Sequence, residues 1–556
     1  MVTTGNGRIS VETRTLTATI ENGFLTSLRS KLDGEEYVRH GETGGSALQL
    51  FYPGQGKVDV VGSLAATITG HQLSPRAAQL RLSGWHADGV LTVSEDPETG
   101  DLLVEPSAYS SRSGVQSCRW LLPGVREDLE LVAPFFQGVK LSLKDPLLER
   151  RWFWPQSWEA GLAILQGRGG GFWVHCRDDR YRYKALDIAD GQMALETEAY
   201  GPVGASLGAG GLVWRINVYQ GDWQVPAAAY RDWLWRAYGL AAEERRRKPW
   251  MHDVRFALSW YNGDPAILDA LARRLDPATV LIHFSQWRTE PYDQNYPTYE
   301  PSDSARAVFA KAREMGFHTM PHCNAVDMDP THPVYAYVRD FQYRDVQTRS
   351  LHGWAYDREA GGVLGVPNSY HALSQNRARN VMIKVHPGLA MWRSILAEHI
   401  QGAVAEVDTD AVFIDVTLCS HNLDNCLVEN TTSSEGMKLL ISQIAGLGDG
   451  LAVGGEGLNE VTMQGLSFAQ AHLFASWSAS CEGLERTGGC ALNDFLFGRL
   501  CRTFGYSGLS GKSEAEELRM RIHEEHNAIP TVVVCSAEEI NSPNRAVERA
   551  LNLARG

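Results

Sequence analysis

The order of secondary-structure segments constrains the fold most, because it changes character near residue 240 of the 556 in the chain. Before that point, short segments rich in β-branched residues alternate with turns built on Gly, Asn, Asp or Pro, which is typical of antiparallel strands. From Met251 onward, strand-like and helix-like segments alternate, which favours a parallel sheet with crossover helices. The sequence therefore predicts two domains of different class, a β domain over 1–240 and an α/β domain over 250–556.

The first domain is predicted to be a large β-sandwich, because it contains many strands and little helix. A hairpin is indicated where the alternating segment Leu16–Ile20 is followed by Asn22-Gly23, a sequence that favours a tight turn. An aromatic helical segment, Pro226–Tyr238, ends this domain. The predicted strands are Ile9–Thr13, Leu16–Ile20, Ala47–Phe51, Ala65–Ile68, Gln79–Leu82, Val90–Val93, Val139–Leu143, Ala163–Gln166, Gly171–Cys176 and Gly211–Tyr219.

The second domain is predicted to be a (β/α)8 TIM barrel, since eight strands and eight helices fit in about 300 residues. An open doubly wound sheet is the rival, but no Gly-x-Gly-x-x-Gly opens a helix after the first strand. The predicted strands are Arg255–Trp260, Val280–Phe284, His318–His322, Ala411–Asp415, Leu451–Gly455, His472–Ala475, Thr503–Tyr506 and Thr531–Cys535. The predicted helices are Pro265–Leu275, Ser302–Met315, Gly388–Val407, Glu435–Leu447, Thr462–Ala469, Leu492–Arg502, Ser513–Asn527 and Asn544–Ala554.

One connection of the predicted barrel is unusually long. It runs over 324–387, between the third strand and the third helix, and contains Trp354 and several Tyr and His residues. Loops of this length are usually functional or form a small subdomain. We expect this insertion to cover the mouth of the barrel.

Composition excludes several classes of partner. The formal net charge of −14 at pH 7 disfavours nucleic acid and anionic membrane surfaces. No apolar run has the length of a membrane span and no signal peptide is visible, although a leader could have been trimmed. Nine scattered Cys favour reduced thiols and a cytoplasmic setting. No Cys-x-x-Cys or His-Glu-x-x-His occurs, so neither a metal nor another cofactor is predicted, and homo-oligomerisation is left open.

Two acidic residues stand where a TIM barrel places its chemistry, at the carboxyl ends of the strands. Asp415 ends the apolar run of the fourth strand, and Glu456 follows Gly454 and Gly455 on the fifth. Adjacent strands lie about 4.8 Å apart, so the carboxylates can approach the roughly 5–5.5 Å separation of a retaining glycosidase pair. We expect Asp415 to act as the nucleophile and Glu456 as the acid/base.

Other polar and aromatic residues end the predicted strands and are candidates for binding a sugar. Trp rings stack on the apolar faces of sugars, while His, Asn and Arg side chains bond hydroxyls. Asp327 and Asp329 complete no calcium loop. Glu482 and Glu485 are rival acids. The predicted substrate-binding residues are Trp260, Tyr261, Trp287, His322, Asn324, His421, Trp477 and Arg486.

The chain resembles a known group of carbohydrate-active enzymes. The segment Thr15–His40, with Asn22-Gly23 and Asp33-Gly34-Glu35-Glu36-Tyr37, is similar to the start of galactose-mutarotase-like β-sandwiches, which precede catalytic barrels in many α-glycosidases. The barrel resembles retaining α-glycosidases of the α-amylase and endo-α-N-acetylgalactosaminidase type. The resemblance implies a nucleophilic Asp on strand four and an acid/base Glu on strand five, which Asp415 and Glu456 match. Phe413 stands where the α-amylase pattern has Arg, so a distant family is implied.

Several functions remain open at this stage. The leading prediction is hydrolysis of an α-galactosidic, α-N-acetylgalactosaminidic or α-glucosidic bond with retention of configuration. A melibiase-type enzyme would instead take its acid from strand six, at Glu482 or Glu485. A non-catalytic carbohydrate-binding protein on the same fold, or a transglycosylase or lyase, would also fit, because a fold alone does not determine a function.

Overall fold

A computed structural model of the protein describes residues 1–39, 41, 45–60, 67–84, 87–189, 192–344, 351, 353–357, 362–364, 380–418, 427–448, 451–471, 484–505 and 516–555. The chain divides into two compact units. Unit 1 contains Met1–Tyr238 together with 484–492, and unit 2 contains the other described residues from Gly239 onward. The segment 484–492, which the sequence prediction assigns to the barrel, therefore belongs to unit 1.

Unit 1 is built almost entirely of strands. One long helix, α1 (Gln224–Ala237), follows its last consecutive strand. The strands are β1 (Val2–Gly5), β2 (Arg8–Glu12), β3 (Leu16–Glu21), β4 (Phe24–Ser30), β5 (Glu36–Arg39), β6 (Leu48–Tyr52), β7 (Gly56–Asp59), β8 (Thr67–Ser74), β9 (Ala77–Ser83), β10 (Ala87–Glu95), β11 (Leu102–Ser110), β12 (Ser117–Leu122), β13 (Glu130–Ala133), β14 (Val139–Ser142), β15 (Arg150–Phe153), β16 (Leu162–Gln166), β17 (Gly170–Cys176), β18 (Lys184–Ala189), β19 (Gln192–Glu198), β20 (Gly208–Gly210) and β21 (Trp214–Gln220).

These strands form three antiparallel sheets. The first runs β1-β2-β3-β4-β5, and the second runs β15-β18-β19-β12-β6-β7. The third and largest runs from β8 through β9, β10, β11, β21, β17, β16 and β13 to β14, where it is completed by a strand from far along the chain, β32 (Arg486–Gly489). Alternate residues of β3 are buried, as expected when one face of a sheet covers a core. The predicted β-rich N-terminal domain is confirmed.

Unit 2 contains the remaining elements. Its strands are β22 (Phe256–Tyr261), β23 (Val280–Phe284), β24 (His318–Asn324), β25 (Asp327–Met328), β26 (Gly353–Asp357), β27 (Gly362–Leu364), β28 (Asn380–Lys384), β29 (Ala411–Asp415), β30 (Ala452–Glu456), β31 (Phe468–Ala471), β33 (Arg502–Gly505) and β34 (Thr531–Val532). Its helices are α2 (Leu240–Arg246), α3 (Pro265–Ala272), α4 (Asp303–Met315), α5 (Tyr335–Val338), α6 (Ala390–Val407), α7 (Ser433–Ala445), α8 (Leu492–Phe497, whose first residue is in unit 1), α9 (Glu516–Glu525), α10 (Glu538–Asn541) and α11 (Arg545–Arg555).

Eight parallel strands of unit 2 form a nearly closed barrel in the order β33-β31-β30-β29-β24-β23-β22-β34. A parallel bridge between Phe504 and Ile529 joins the two ends of this sheet. Alternate side chains point into the lumen, because successive residues of a strand face opposite sides. The lower lumen is apolar and holds Ala257, Leu281, Met320, Ala411, Phe413, Ala452, Phe468, Phe504 and Ile529. The predicted TIM-like barrel is confirmed at this level.

The sixth barrel strand differs from the prediction. The predicted helix Thr462–Ala469 is wrong, since only a 3₁₀ turn, Thr462–Gln464, precedes the strand β31. Gly465, at φ −179° and ψ −25°, leaves the helical region and ends the turn. The predicted strand His472–Ala475 lies outside the described residues.

The described part of the insertion forms a small antiparallel sheet in the order β25-β28-β26-β27. It pairs Asp327 with Lys384, residues 57 positions apart. Among the described residues, no helix is long and apolar enough to cross a membrane.

Candidate active site

The upper lumen of the barrel is polar, in contrast to the apolar layer below it. The strands bring Asp415 and Glu456 to their carboxyl ends, as the alternation of side chains requires. Asn324 on β24 is the register partner of Asp415. Asp415 and Glu456 are each 7% exposed, so they are largely desolvated without being sealed from solvent. A substrate reaching this end of the barrel would meet both carboxylates.

The backbone after Asp415 links the two acids. The Val416 amide donates a hydrogen bond of 3.1 Å to Glu456 Oε2. The Thr417 hydroxyl accepts from the Glu456 amide at 2.8 Å and donates to its carbonyl at 2.7 Å. These bonds fix the end of β30 against the segment that follows β29. The two carboxyl groups are therefore neighbours held by main-chain contacts.

Asp415 lies in an environment that opposes ionisation. Burial, reinforced by the charges of Glu456 and Asp327, raises its pKa well above the usual value of 3.8. The Val416 amide and the Lys384 ammonium act in the opposite direction. Two interacting carboxyls of this kind titrate as a pair and can share one proton, so the raised pKa belongs to Asp415 and Glu456 together.

Three residues around these groups have a positive φ. Trp260, Asp293 and Val416 have φ values of 54°, 58° and 64°. Residues with a β-carbon rarely adopt this left-handed region, and for a β-branched residue such as Val416 it is an outlier. Strained backbone of this kind tends to occur at functional sites, where it fixes the direction of a side chain or an amide. At Val416 the turn directs the amide towards Glu456.

A buried ion pair stands beside the two acids. Lys384 Nζ lies 2.7 Å from Asp327 Oδ1, and both side chains are nearly inaccessible. Asn324 Nδ2 donates to the second oxygen of Asp327 at 3.3 Å, while Asn324 Oδ1 accepts from the amides of Val326 and Asp327. The insertion strand β28 thus supplies the cation that offsets part of the negative charge at the site.

Asp293, on the connection after β23, is a further carboxyl group at the site. Burial, together with the charges of Asp415 and Asp327, raises its pKa to about 8. At neutral pH it is therefore mainly a neutral carboxylic acid and can donate a hydrogen bond. This residue was not identified from the sequence.

Two histidines and a tryptophan form the wall below the carboxylates. His322 Nε2 lies 3.6 Å from Asp415 Oδ2. His322 Nδ1 lies 3.0 Å from Nε2 of His283, which is not among the predicted residues. The Trp260 ring packs against both imidazoles, at centroid distances of 5.5 Å from His322 and 5.3 Å from His283. Burial lowers the pKa of both histidines, that of His283 to about 3, so both rings are neutral.

Two of the predicted binding residues lie away from this cluster. Tyr261 is fully buried, packs on Phe284 and donates to the carbonyl of Asp264 at 2.8 Å. Trp287 is fully buried as well, and its Nε1 donates to the carbonyl of His322 at 2.8 Å. Both side chains support the barrel wall, and Trp287 acts on the site only through the backbone of His322.

The remaining predicted residues lie outside the described part of unit 2. Arg486 is on β32 and the exposed Glu485 precedes it, and both belong to unit 1. His421, Trp477 and the rival acid Glu482 lie outside the described residues.

Some site residues that were not predicted do have a signal in the sequence, and others have none. His283 sits at an inward position of a short apolar strand, two residues after Leu281, so strand alternation could have revealed it. Lys384 carries no local signal, because its pairing with Asp327 depends on the fold of the insertion. Within the described residues, no group of three or more His, Cys, Asp or Glu side chains is arranged to hold a metal ion.

Comparison with known proteins finds solved structures of similar fold and one family model that matches part of the chain. The model of a family described as a domain of unknown function (DUF6259) matches residues 213–437. No curated protein matches the chain. The structure of α-N-acetylgalactosaminidase NagBb from Bifidobacterium bifidum in complex with GalNAc is similar over 100% of this chain and 92% of that one, with a TM-score of 0.67 and 14% identity. A GH31 family sulfoquinovosidase from E. rectale, in complex with the aza-sugar inhibitor IFGSQ, is similar over 100% and 82%, with a TM-score of 0.54 and 10% identity.

The resemblance to α-glycosidases that the sequence predicts is thus confirmed at the level of the fold. At 14% identity and below, these likenesses show a shared architecture alone, and a shared architecture hosts many activities.

Proposed function

We propose that this protein is a retaining α-glycoside hydrolase in which Asp415 is the nucleophile and Glu456 is the acid/base. The observation that carries the proposal is the pair of largely buried carboxyl groups at the ends of the adjacent strands β29 and β30, linked by the bond from the Val416 amide to Glu456. A binding module needs aromatic and polar contacts but has no use for two opposed acids. The fold shared with α-glycosidases supports the proposal by analogy.

The two acids have different roles in the proposed reaction. In the productive state the shared proton resides on Glu456, which donates it to the leaving glycosidic oxygen. The ionised Asp415 attacks the anomeric carbon as that bond breaks and forms a glycosyl-aspartate ester. Glu456, now a carboxylate, takes a proton from a water molecule while the oxygen of that water attacks the anomeric carbon and displaces Asp415. The net result is hydrolysis with retained configuration.

The other groups of the site have roles in binding and charge balance. The Lys384–Asp327 pair and the neutral acid Asp293 offer donors and acceptors for sugar hydroxyls next to the reacting centre. Trp260, half-buried at the end of β22, can stack on a sugar face. Of the substrates considered, a terminal α-N-acetylgalactosaminide is the first to test, because NagBb is described as an α-N-acetylgalactosaminidase.

The test is turnover of nitrophenyl α-N-acetylgalactosaminide, α-galactoside and α-glucoside by wild-type protein and by two variants, Asp415→Asn and Glu456→Gln. We expect Asp415→Asn to lose at least about 10³-fold in kcat/KM on the best substrate, since it removes the nucleophile. Glu456→Gln should lose at least about 10²-fold in kcat, since nitrophenolate leaves without a proton but hydrolysis of the glycosyl-aspartate still needs the base. Proton NMR of the first product should show the α-anomer. Thermal unfolding of both variants checks that they fold.

Two matched controls separate this proposal from its rivals. Glu485→Gln and Glu482→Gln should keep full activity here, whereas a melibiase-type enzyme would be inactivated by one of them. If wild-type protein binds the sugars but turns none over, the protein is a non-catalytic carbohydrate binder. Unchanged turnover in both Asp415→Asn and Glu456→Gln would refute this active site, and products built on added acceptor sugars would identify a transglycosylase.

A further inference from the structure

A chain of buried polar side chains runs around the barrel lumen beneath the two acids. Gln470 Nε2 on β31 donates to Ser259 Oγ on β22 at 2.9 Å. Ser259 Oγ lies 3.2 Å from His283 Nδ1 on β23, and His283 Nε2 lies 3.0 Å from His322 Nδ1 on β24. All four side chains are at most 1% exposed. Four strands of the barrel are therefore linked by three consecutive hydrogen bonds that water does not reach.

The first link gives the chain a direction. The Gln470 amide nitrogen can only donate, so Ser259 Oγ accepts there and its own hydrogen remains available for His283 Nδ1. A neutral imidazole has one N–H and one lone pair. If His283 Nδ1 accepts, then His283 Nε2 carries the hydrogen and donates to His322 Nδ1. By the same rule, the hydrogen of His322 is on Nε2.

The last nitrogen of the chain faces the proposed nucleophile. His322 Nε2 lies 3.6 Å from Asp415 Oδ2, longer than an ordinary hydrogen bond, and it has no hydrogen-bond partner among the described residues. Asp415 Oδ1 also has none among them. Catalytic hydrogen bonds are often long in the free enzyme and tighten when substrate binds. The placement of these two buried groups points to a contact that forms during the reaction.

The charges around this contact show what a neutral donor contributes. Asp415 faces Glu456 from β30, Asp327 and Lys384 from the insertion, and Asp293 from the connection after β23. His322 faces His283 and the guanidinium of Arg288. A neutral Nε2–H can stabilise the Asp415 carboxylate without adding a charge to the lumen. The opposite tautomer would point a lone pair at Asp415 and disfavour its ionised form, the form that attacks.

We propose that Gln470, Ser259 and His283 are positioning residues that lock His322 in the Nε2–H tautomer, so that His322 donates to the carboxylate of Asp415 when Asp415 attacks. The part of this inference that concerns attack by Asp415 rests on the proposed function. The His322 tautomer follows from the hydrogen bonds alone and does not depend on that function. Gln470 acts at a distance from the reacting atoms, through three intervening side chains.

The direct test is nitrogen NMR of full-length protein labelled with ¹⁵N-histidine, because the chemical shifts of the two ring nitrogens distinguish the tautomers. We expect His322 and His283 to carry hydrogen on Nε2 and a lone pair on Nδ1 at pH 7. The resonances are assigned from variants His322→Gln and His283→Asn. A hydrogen on Nδ1 of His322 in wild-type protein would overturn the proposal, and this readout requires no turnover.

A second test breaks the chain at its far end. Ser259→Ala and Gln470→Met remove the donors that set the tautomer, and we expect a mixture of His322 tautomers in both. A lost donor disfavours the ionised form of Asp415. The acid limb, which is the rise of kcat/KM on the acid side of its pH profile, should therefore move up by about one pH unit. At pH values below it, kcat/KM should fall about tenfold. Thr319→Val is the matched control, since it also removes a hydrogen bond of a largely buried side chain on β24, but at the opposite end of the strand.

The outcomes separate this inference from the proposed function. Suppose that Ser259→Ala and Gln470→Met hydrolyse the substrate with an unaltered His322 tautomer and an unaltered acid limb. This result would reject the proposed role of the hydrogen-bond chain and would not affect the glycosidase proposal. If the protein shows the expected tautomers but hydrolyses no glycoside, the result would support the control of the His322 tautomer by the hydrogen-bond chain and reject the enzyme proposal. An equal shift of the acid limb in Thr319→Val would show a general effect of lowered stability and would also reject the proposed role of the hydrogen-bond chain.

Discussion

At the scale of single residues, the site depends on how burial and neighbouring charges set protonation. Asp293 and Asp415 both have a raised pKa, whereas His283 has a lowered one, and in each case burial is the largest cause. The neutral acid Asp293 and the neutral imidazoles add no charge beside the Lys384–Asp327 ion pair. Such a site favours bonds to hydroxyl groups over bonds to ionic ligands.

Asp293→Asn should change how stability depends on pH. The folded protein holds a proton on Asp293 that the unfolded chain releases above its ordinary pKa of 3.8. This contribution is complete below pH 3.8 and is lost as the pH rises through about 8. Relative to wild type, Asp293→Asn should therefore gain at least about 1 kcal/mol of unfolding free energy between pH 5 and 9.

Thermal or urea unfolding at pH 5, 7 and 9 measures this difference. Glu300→Gln, at an exposed position of the same connection, is the control and should follow wild type at each pH. A constant offset between Asp293→Asn and wild type across this range would contradict the raised pKa.

The sequence revealed those site residues that follow a local rule. Asp415 and Glu456 end apolar strands, and His322 and Asn324 lie at the end of β24, so barrel geometry alone selected them. Tyr261 met the same rule but lies outside the cluster, because the pairing of β22 with β23 is irregular between Leu258 and Tyr261. A bulge of this kind reverses the direction of the following side chains, and nothing in the sequence marks it.

At the scale of elements, β30 shows how a strand is fitted to its neighbours. A Cβ on Gly454 would lie 2.5 Å from Met320 Sδ and 3.1 Å from Phe413 Cδ2. The glycine therefore leaves room for the two large side chains that fill the lumen below the acids. Without this space, either β30 or Phe413 would have to move, and Glu456 lies two residues further along the same strand.

Gly454→Ala should destabilise unit 2 by about 1–3 kcal/mol, the usual cost of forcing an extra methyl group into a packed core. Gly402→Ala is the matched control, because Gly402 lies within α6 and its Cβ would have no neighbour within 4 Å. In an open helical position the same substitution should stabilise by up to about 1 kcal/mol. Urea unfolding checks both, and effects of the same sign would contradict this account.

Element boundaries were predictable where caps mark them and not elsewhere. The helix α4 begins after Ser302, whose hydroxyl accepts from the Ala305 amide, and it ends at Gly316, which adopts a left-handed conformation at φ 88°. The strand β31 has no such marker, and its four residues, Phe468–Ala471, are too short for periodicity to separate strand from helix. Its identity depends on pairing with β30 and β33, which is a property of the assembled barrel.

At the scale of the whole molecule, each unit buries neutral histidine. His175 in unit 1 is inaccessible and stacks on Trp173 at 3.7 Å. Burial lowers its pKa from 6.5 to about 4, against the opposing effect of Asp101. His283 and His322 play the same part in unit 2. Acid should therefore lower the stability of both units. In unit 1 the responsible group, His175, has no part in the proposed catalysis, whereas in unit 2 His283 and His322 lie next to the proposed nucleophile.

His175→Phe should make unit 1 less sensitive to acid. The unfolded chain binds a proton to His175 below pH 6.5 that the folded unit resists until about pH 4, so wild-type stability falls as the pH drops through this window. The loss is up to about 3 kcal/mol and should disappear in His175→Phe. Unfolding midpoints at pH 7 and 4.5 measure it, with the exposed His71→Gln as control. An identical acid-induced decrease in wild type and His175→Phe would contradict the prediction.

The late strand β32 has a consequence for how the protein is made. β14 ends at Ser142, but the strand that covers its edge begins only at Arg486. At typical elongation rates the ribosome takes roughly half a minute to synthesise the intervening residues. During that time the nascent chain presents an open sheet edge, the kind of surface that invites pairing with other chains. A fragment 1–240 would keep that edge permanently, so chaperone dependence and aggregation should be greatest for chains stopped before residue 486.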